Sequence, residues 1–193
     1  MKLGLTGGIG CGKSTVVRFF GAAGWATVES DKIVQDMLNQ DPEVHLALRQ
    51  RWGDSVFTSD GGVDRAAIAS RVFAGADELH WLEDLLHPRV RRTWQQALAS
   101  RPDANWVVEI PLIFEKRLET AFDLTVCVAS PAAVADQRMA DRGYTEAAVE
   151  QRRQRQMRIE DKLRLADYVI TNAGSLEFLE KQTMRLIEQI SGT

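Results

Sequence analysis

A glycine-rich segment near the start of the chain combines residues whose order and spacing are typical of phosphate binding. It reads Gly7-Gly8-Ile9-Gly10-Cys11-Gly12-Lys13-Ser14-Thr15 and matches the pattern G-x-x-x-x-G-K-[ST]. Glycines allow such a loop to turn several backbone amides toward one anion, and a helix that begins directly after the loop adds partial positive charge. The segment therefore predicts a site for the phosphates of a nucleotide.

The side chains at the end of this loop predict how the bound phosphates are used. Lys13 is expected to reach the β- and γ-phosphates, Ser14 to supply a hydroxyl to Mg²⁺, and Thr15 to assist at the α-phosphate. The other expected contacts in the loop come from Gly8, Gly10, Cys11 and Gly12. A dinucleotide-binding fingerprint is excluded, because Lys13 stands where that pattern requires its third glycine.

Two carboxylates are candidates for work on the acceptor or the metal. Asp31 follows the second apolar run, and we predict that it is the general base for an acceptor hydroxyl. Capping of a helix that begins at Lys32 is the alternative role for Asp31. Glu109 interrupts the apolar run 106–110, where burial requires a cation or hydrogen-bond donors, so we predict it close to the metal or the acceptor. An ion pair at the end of the strand is the alternative for Glu109.

Basic side chains later in the chain predict a lid. Arg138 and Arg142 are four residues apart, so we expect them on one helix face, closing over the γ-phosphate and neutralising its charge. RNA binding is the alternative for this basic stretch, and the lack of interleaved aromatic residues weighs against it. His87 precedes Pro88, which by itself is typical of a turn residue where a helix begins.

The elements that position these residues follow from the apolar pattern. Five short runs predict strands, at residues 2–6, 26–29, 106–110, 124–128 and 168–171. Most of them are apolar throughout and have helical stretches beside them, which indicates an α/β fold with a parallel sheet covered on both faces. The strand-free stretch 31–105 predicts a helical insertion, with separate helices at 76–86 and 88–99 among others. Helix N-caps are predicted at Asp41, Asp64, Ser130, Thr145 and Ser175.

Composition limits the class of protein further. The chain has 193 residues, 45% of them hydrophobic, and a formal net charge of −3, which excludes a disordered chain and argues against an extended nucleic-acid surface. No apolar run approaches about 18 residues and no signal peptide is recognisable, so we expect a cytoplasmic protein without a membrane segment. Cys11 and Cys127 lack paired spacing, and we expect both to be reduced thiols.

The ordered set of motifs resembles the dephospho-CoA kinase family over essentially the whole chain. The motifs are Leu5-Thr6-Gly7-Gly8-Ile9-Gly10-x-Gly12-Lys13-Ser14-Thr15, Ser30-Asp31, Val63-Asp64-Arg65, Leu86-His87-Pro88, Pro111-Leu112-x-Phe114-Glu115, Gln137-Arg138 with Arg142, Gln156-Met157-x-Ile159-Glu160-Asp161-Lys162 and Ala166-Asp167-Tyr168-Val169-Ile170-x-Asn172-x-Gly174. The resemblance implies a P-loop NTPase fold with a five-stranded parallel sheet, a helical substrate-binding insertion and a small lid. The implied ranges are 1–35, 103–135 and 160–193 for the nucleotide-binding core, 36–102 for the insertion and 136–159 for the lid.

The resemblance also implies a reaction and its participants. The γ-phosphoryl group of ATP, bound with Mg²⁺, is moved to the ribose 3′-hydroxyl of dephospho-CoA, the last step of coenzyme A synthesis. No nucleic acid or membrane takes part, and the protein is expected to be a monomer or a weak homo-oligomer. A nucleoside monophosphate kinase is the alternative enzyme, and a nucleotide-dependent switch or assembly factor is the alternative from another class.

Further site residues are carried over by the same resemblance. Asp31 becomes the base beside the acceptor hydroxyl, and the acceptor side also includes Asp64, Arg65 and His87. Asn172 and Gly174 are expected near the adenine of ATP. The chain departs from the family at Glu29, which replaces the more usual aspartate of an Asp-x-Asp pair, and it departs again at Cys11 and Arg158.

Overall fold

The predicted parallel sheet is confirmed in the computed structural model, which describes residues 1–192. Its strands are β1 Lys2–Gly7, β2 Ala26–Glu29, β3 Trp106–Glu109, β4 Leu124–Ala129 and β5 Tyr168–Thr171. All neighbouring pairs are parallel, in the order β2-β3-β1-β4-β5. β2 and β3 therefore lie on one side of β1, and β4 and β5 lie on the other. Open parallel sheets bind ligands at the carboxyl ends of the strands where the chain changes sides.

Helices occupy most of the remaining chain. They are α1 Lys13–Ala22, α2 Ser30–Gln40, α3 Pro42–Trp52, α4 Arg65–Ala74, α5 Ala76–Ser100, α6 Ala132–Asp141, α7 Glu146–Arg153, α8 Ile159–Leu165 and α9 Leu176–Ser191. Two compact units divide these elements: one combines Met1–Glu29 with the chain from Arg101 onward, and the other is Ser30–Ser100. Thr193, which ends the predicted core range, lies outside the described residues.

The core of the first unit is formed by the central strands and the helices packed on them. Leu3 and Leu5 of β1 are fully buried, together with Val16 and Phe20 of α1. Leu179 of α9 belongs to the same apolar cluster. β1 is buried from Leu3 to Gly7, so it does not show the alternation of buried and exposed side chains that a half-exposed strand has. This packing fixes the start of α1 directly behind the glycine-rich loop.

Four of the five predicted N-caps are confirmed by hydrogen bonds from the first turn to the capping side chain, at Asp41, Asp64, Thr145 and Ser175. The fifth prediction is wrong, because Pro131 occupies the N-cap position of α6 and makes no side-chain cap. The Ser130 hydroxyl donates instead to the backbone carbonyl of Asn172 at 2.7 Å. Ser130 thus bonds to a residue 42 positions away and not to the first turn of α6.

The second unit is helical and has an apolar core of its own. Its buried residues are Leu38, Val44, Leu48, Trp52, Val56, Ile68, Val72 and Leu86. The prediction of separate helices at 76–86 and 88–99 is wrong, since α5 runs unbroken from Ala76 to Ser100 with Pro88 inside it. An internal proline costs about 3 kcal/mol. Val90, Trp94 and Leu98 are buried on the far side of it, and each such side chain contributes roughly 1.5–3 kcal/mol, which offsets that cost.

No helix within residues 1–192 is long and apolar enough to span a bilayer.

Candidate active site

The glycine-rich loop leaves β1 and enters α1 through backbone conformations that favour glycine. Gly10 has φ 72° and Gly12 has φ 89°, both in the left-handed region. A Cβ atom on Gly10 would lie 2.6 Å from the carbonyl oxygen of Ala135, and one on Gly12 would lie 2.3 Å from Nδ2 of Asn172. Both positions therefore require glycine for space as well as for conformation.

Lys13 is the first residue of α1, and its ammonium group is turned back onto the loop. Nζ donates to the carbonyl oxygens of Gly8 at 2.9 Å and Gly7 at 3.2 Å, and lies 3.9 Å from Oε1 of Glu109. The Lys13 side chain is only 12% exposed. The structure thus brings the predicted phosphate-binding lysine and the predicted acidic residue of β3 together.

Two carboxylates lie side by side at the carboxyl ends of adjacent strands. Glu29 of β2 is in register with Glu109 of β3, and residues in register on neighbouring strands project from the same face of a sheet. Glu109 is 2% exposed, whereas Glu29 is half-buried. Glu109 has Lys13 as a cationic neighbour, so an ion pair and a place near the site are both compatible with its position.

The oxygen donors at this end of the unit are of the type that Mg²⁺ prefers. Ser14 is exposed at the second position of α1, and Glu109 supplies a carboxylate. Residues 1–192 contain no cluster of three acidic, histidine or cysteine side chains suited to a metal. Mg²⁺ is usually held by one or two protein oxygens together with substrate phosphates and waters, so a sparse donor set of this kind fits it.

Arg138 lies on the outer side of the loop, in the last turn of α6. Its Nη2 donates to Oδ1 of Asn172 at 3.0 Å, and its Nη1 donates to the Ser130 hydroxyl at 3.0 Å and to the Gly10 carbonyl at 3.5 Å. Asn172, the residue after β5, donates from Nδ2 to the Cys11 carbonyl at 3.0 Å. The structure thus joins two residues expected near ATP to the backbone of the loop.

Arg142 lies at the C-terminal end of the helix that contains Arg138. Helix α6 ends at Asp141, and Arg142 is the residue that follows, with φ −89° and ψ 4° and an exposed side chain. Arg142 is thus the C-cap residue of α6, with its backbone amide donating to the Met139 carbonyl at 3.1 Å, and its place over the γ-phosphate stays a prediction. Gly174, the other residue expected near adenine, is exposed two residues beyond Asn172.

A lysine whose burial no local sequence pattern indicates joins two segments of the first unit. Lys162 of α8 is fully buried, and its Nζ lies 2.8 Å from Oε1 of Glu115 and 2.6 Å from the carbonyl oxygen of Pro111. The same Glu115 oxygen accepts from the backbone amide of Met157 at 2.7 Å. Lys162 stands in a run of charged residues, which gives no compositional signal of burial; its only signal was membership of a family motif.

The expected acceptor-side residues all belong to the helical unit. Asp31 is exposed in the first turn of α2. Asp64 is the N-cap of α4 and accepts from the amides of Ala66 at 2.9 Å and Ala67 at 3.0 Å. These two contacts use Asp64 as a cap.

The other two acceptor-side residues lie on α4 and α5. Arg65 donates to Oδ1 of Asn39 at 3.0 Å, which links α4 to α2. His87 is half-buried inside α5 and does not begin a helix.

Comparisons with known proteins show the family to which the chain is similar. A sequence profile of the dephospho-CoA kinase family matches residues 1–177. A dephospho-CoA kinase of Thermosynechococcus vestitus is 36% identical over 184 residues, covering 94% of this chain and 91% of that protein. A crystal structure from Thermus thermophilus superposes with a TM-score of 0.80 at 33% identity, over 98% of this chain and 97% of that one. A dephospho-CoA kinase structure from Campylobacter jejuni superposes with a TM-score of 0.72 at 25% identity, over 100% and 98%.

One conclusion follows from the loop, the lysine at its end, the five-stranded parallel sheet and the family match over residues 1–177. This chain belongs to the dephospho-CoA kinase family.

Proposed function

We propose that this protein transfers the γ-phosphoryl group of ATP to the ribose 3′-hydroxyl of dephospho-CoA, giving coenzyme A and ADP. The observation that carries the proposal is the position of Lys13, which starts α1 directly behind the loop with its charge turned toward the loop and Glu109, in a chain of this family. We further propose that the enzyme works in the cytoplasm as a monomer or a weak homo-oligomer.

Binding of ATP uses groups that the loop already gathers. The backbone amides around Gly10 and Gly12 and the N-terminus of α1 attract the β-phosphate, since aligned amides carry partial positive charge. Lys13 exchanges the carbonyls of Gly7 and Gly8 for phosphate oxygens, which are stronger acceptors because they are charged. The exchange moves a cation onto the group that is transferred, where charge develops in the transition state.

Mg²⁺ neutralises charge on the β- and γ-phosphates when it is bound with ATP. Ser14 and Glu109 are the residues that we propose to hold it, because their oxygens suit a hard cation. Arg142 is proposed to contribute positive charge from the lid range 136–159, and Gly174 to lie near the adenine.

Activation of the acceptor is assigned to the helical range 36–102 and to Asp31, two residues beyond the last residue of β2. Asp31 takes the proton of the 3′-hydroxyl, the hydroxyl oxygen forms a bond to the γ-phosphorus, and the bond from that phosphorus to the bridging oxygen of ADP breaks. Asp64, Arg65 and His87 are proposed to hold dephospho-CoA.

An acceptor comparison tests the proposal. ADP release is measured with dephospho-CoA, AMP, UMP or dTMP as acceptor, at equal concentrations and with Mg²⁺ and ATP in excess. The proposal expects turnover with dephospho-CoA and a kcat/KM for it far above those for the three monophosphates. Turnover of a monophosphate without turnover of dephospho-CoA would contradict it, as would nucleotide binding with no acceptor phosphorylated.

A further inference from the structure

The outer side of the phosphate-binding loop carries backbone carbonyls that need hydrogen-bond donors if the loop is to hold its shape. A loop that turns its amides toward an anion turns intervening carbonyls away from it, and buried carbonyls need donors. Cys11 is 3% exposed, and its carbonyl accepts from Nδ2 of Asn172 at 3.0 Å. The neighbouring Gly10 carbonyl has Nη1 of Arg138 at 3.5 Å. Side chains from two distant segments therefore meet these two carbonyls.

Hydrogen bonds fix both the backbone and the side-chain amide of Asn172. Its backbone amide donates to the Ala129 carbonyl at 2.7 Å, and its own carbonyl accepts from the Ser130 hydroxyl at 2.7 Å. Its side-chain oxygen accepts from Nη2 of Arg138 at 3.0 Å. Because the oxygen is bound to a guanidinium, the NH₂ end of the amide must face Cys11. The residue is 6% exposed, so water does not replace these contacts.

Arg138 closes this arrangement with two nitrogen atoms. Nη2 orients the amide of Asn172, while Nη1 donates to Ser130 at 3.0 Å. A planar guanidinium can make both bonds at once, whereas a lysine ammonium at the same place is a single point charge on a flexible stem. The contacts are made by the half-buried side chain of Arg138, in the last turn of α6.

We propose that Arg138 is a positioning residue for the phosphate-binding loop and that it acts through Asn172. By fixing the amide of Asn172 it keeps the Cys11 carbonyl turned outward, and so keeps the loop amides turned toward the β-phosphate. The inference rests on the proposed function only in that the loop binds ATP. It assigns Arg138 a role different from direct contact with the γ-phosphate.

The two roles of Arg138 predict different nucleotide affinities. A contact with the γ-phosphate favours ATP over ADP, so its loss weakens ATP binding alone. Support of the loop acts on the β-phosphate, which ATP and ADP share, so its loss weakens both nucleotides by the same factor. The ratio of the two dissociation constants therefore separates loop support from a contact with the γ-phosphate. ATP and ADP also share the adenine, near which Asn172 is expected, so loop support further requires that binding of inorganic tripolyphosphate, which has no adenine, weakens by a similar factor.

Titration calorimetry of ATP and ADP with Arg138→Met, Arg138→Lys and Asn172→Asp tests the proposal. Asn172→Asp keeps an acceptor for the guanidinium but removes the donor to Cys11, so it carries the same test if Arg138→Met does not fold. We expect both dissociation constants to rise by about 10- to 100-fold in Arg138→Met and in Asn172→Asp, the range for hydrogen bonds that involve a charged group. The ADP to ATP ratio should stay within about twofold of the wild-type ratio, and Arg138→Lys should restore less than half of the loss on a logarithmic scale.

Arg164→Met is the matched control, because Arg164 is an exposed arginine of α8 that pairs only with Asp161 among its described contacts. It should leave both dissociation constants unchanged. Weaker binding of ATP with unchanged binding of ADP would overturn the proposal, and so would unchanged binding of both in Arg138→Met. Failure of dephospho-CoA as acceptor would instead overturn the proposed function, since nucleotide binding is measured without it.

Discussion

The ammonium group of Lys162 is fully buried and lies 2.8 Å from Oε1 of Glu115. It also donates to the Pro111 carbonyl, so one cation joins the segment after β3 to α8. Removal of one partner of a buried pair leaves the other charge without compensation. We therefore expect Lys162→Met to lower the free energy of unfolding by about 3–5 kcal/mol, measured by urea denaturation.

The double variant Lys162→Met with Glu115→Gln provides the comparison. The Glu115→Gln change replaces the carboxylate with a neutral amide whose oxygen can still accept from the amide of Met157, so the double variant should recover part of the lost free energy. The account of the pair would be contradicted if Glu115→Gln lowered the free energy of unfolding of the Lys162→Met variant by as much as it lowers that of the wild type.

Replacement of Lys13 tests the proposed site directly. Lys13→Met removes the cation that we assign to the β- and γ-phosphates, and kcat with dephospho-CoA should fall by roughly 10³-fold or more. Circular dichroism should show the same helix content as the wild type. Lys181→Met, at an exposed lysine of α9, is the control and should keep full activity. Near-normal turnover by a folded Lys13→Met variant would refute the assignment.

Asp31 is predicted to act as a base, and Asp36 offers a matched control because both are exposed aspartates of α2. Asp31→Asn should lower kcat by about 10²- to 10⁴-fold with little change in the KM for ATP. Asp36→Asn should leave kcat unchanged. If Asp31→Asn lowered only the melting temperature, the residue would be a structural part of α2 and not the base.

Burial raises the pKa of Cys127 from 9.0 to about 12. Between these two values the unfolded chain releases a proton that the folded protein keeps, so the free energy of unfolding falls as the pH rises through this window. Below pH 9.0 both states hold the proton and this contribution is constant. Urea denaturation at about pH 7 and about pH 10, on either side of the unfolded-state pKa, should show a smaller decrease for Cys127→Ala than for the wild type. An equal decrease in the two proteins would contradict the shift.

Local patterns predicted the strands because buried parallel strands are short, continuous apolar runs. The strands at 26–29 and 168–171 have the predicted bounds, and β1 extends only one residue further, to Gly7. The loop and the start of α1 were predictable for a similar reason, since all residues of that motif are adjacent in sequence.

Contacts between distant residues could not be predicted in this way. Arg138 and Asn172 are separated by 34 positions and Ser130 and Asn172 by 42, so no local pattern indicates that they meet. Proline normally interrupts a helix, so Pro88 predicts a break in α5. The helix continues through Pro88 because buried side chains beyond it pack on the core. The burial of Lys162 likewise depends on a partner that folds toward it from 47 positions away, at Glu115.

Phosphorus NMR of a reaction that contains equimolar ATP and dephospho-CoA tests the central claim most directly, because it identifies the atom that receives the phosphoryl group. The account predicts that the γ-phosphate signal of ATP disappears while a new phosphomonoester signal, coupled to the ribose 3′ proton, grows at the same rate. Release of inorganic phosphate without that signal, or a phosphomonoester at another position of dephospho-CoA, would contradict the account.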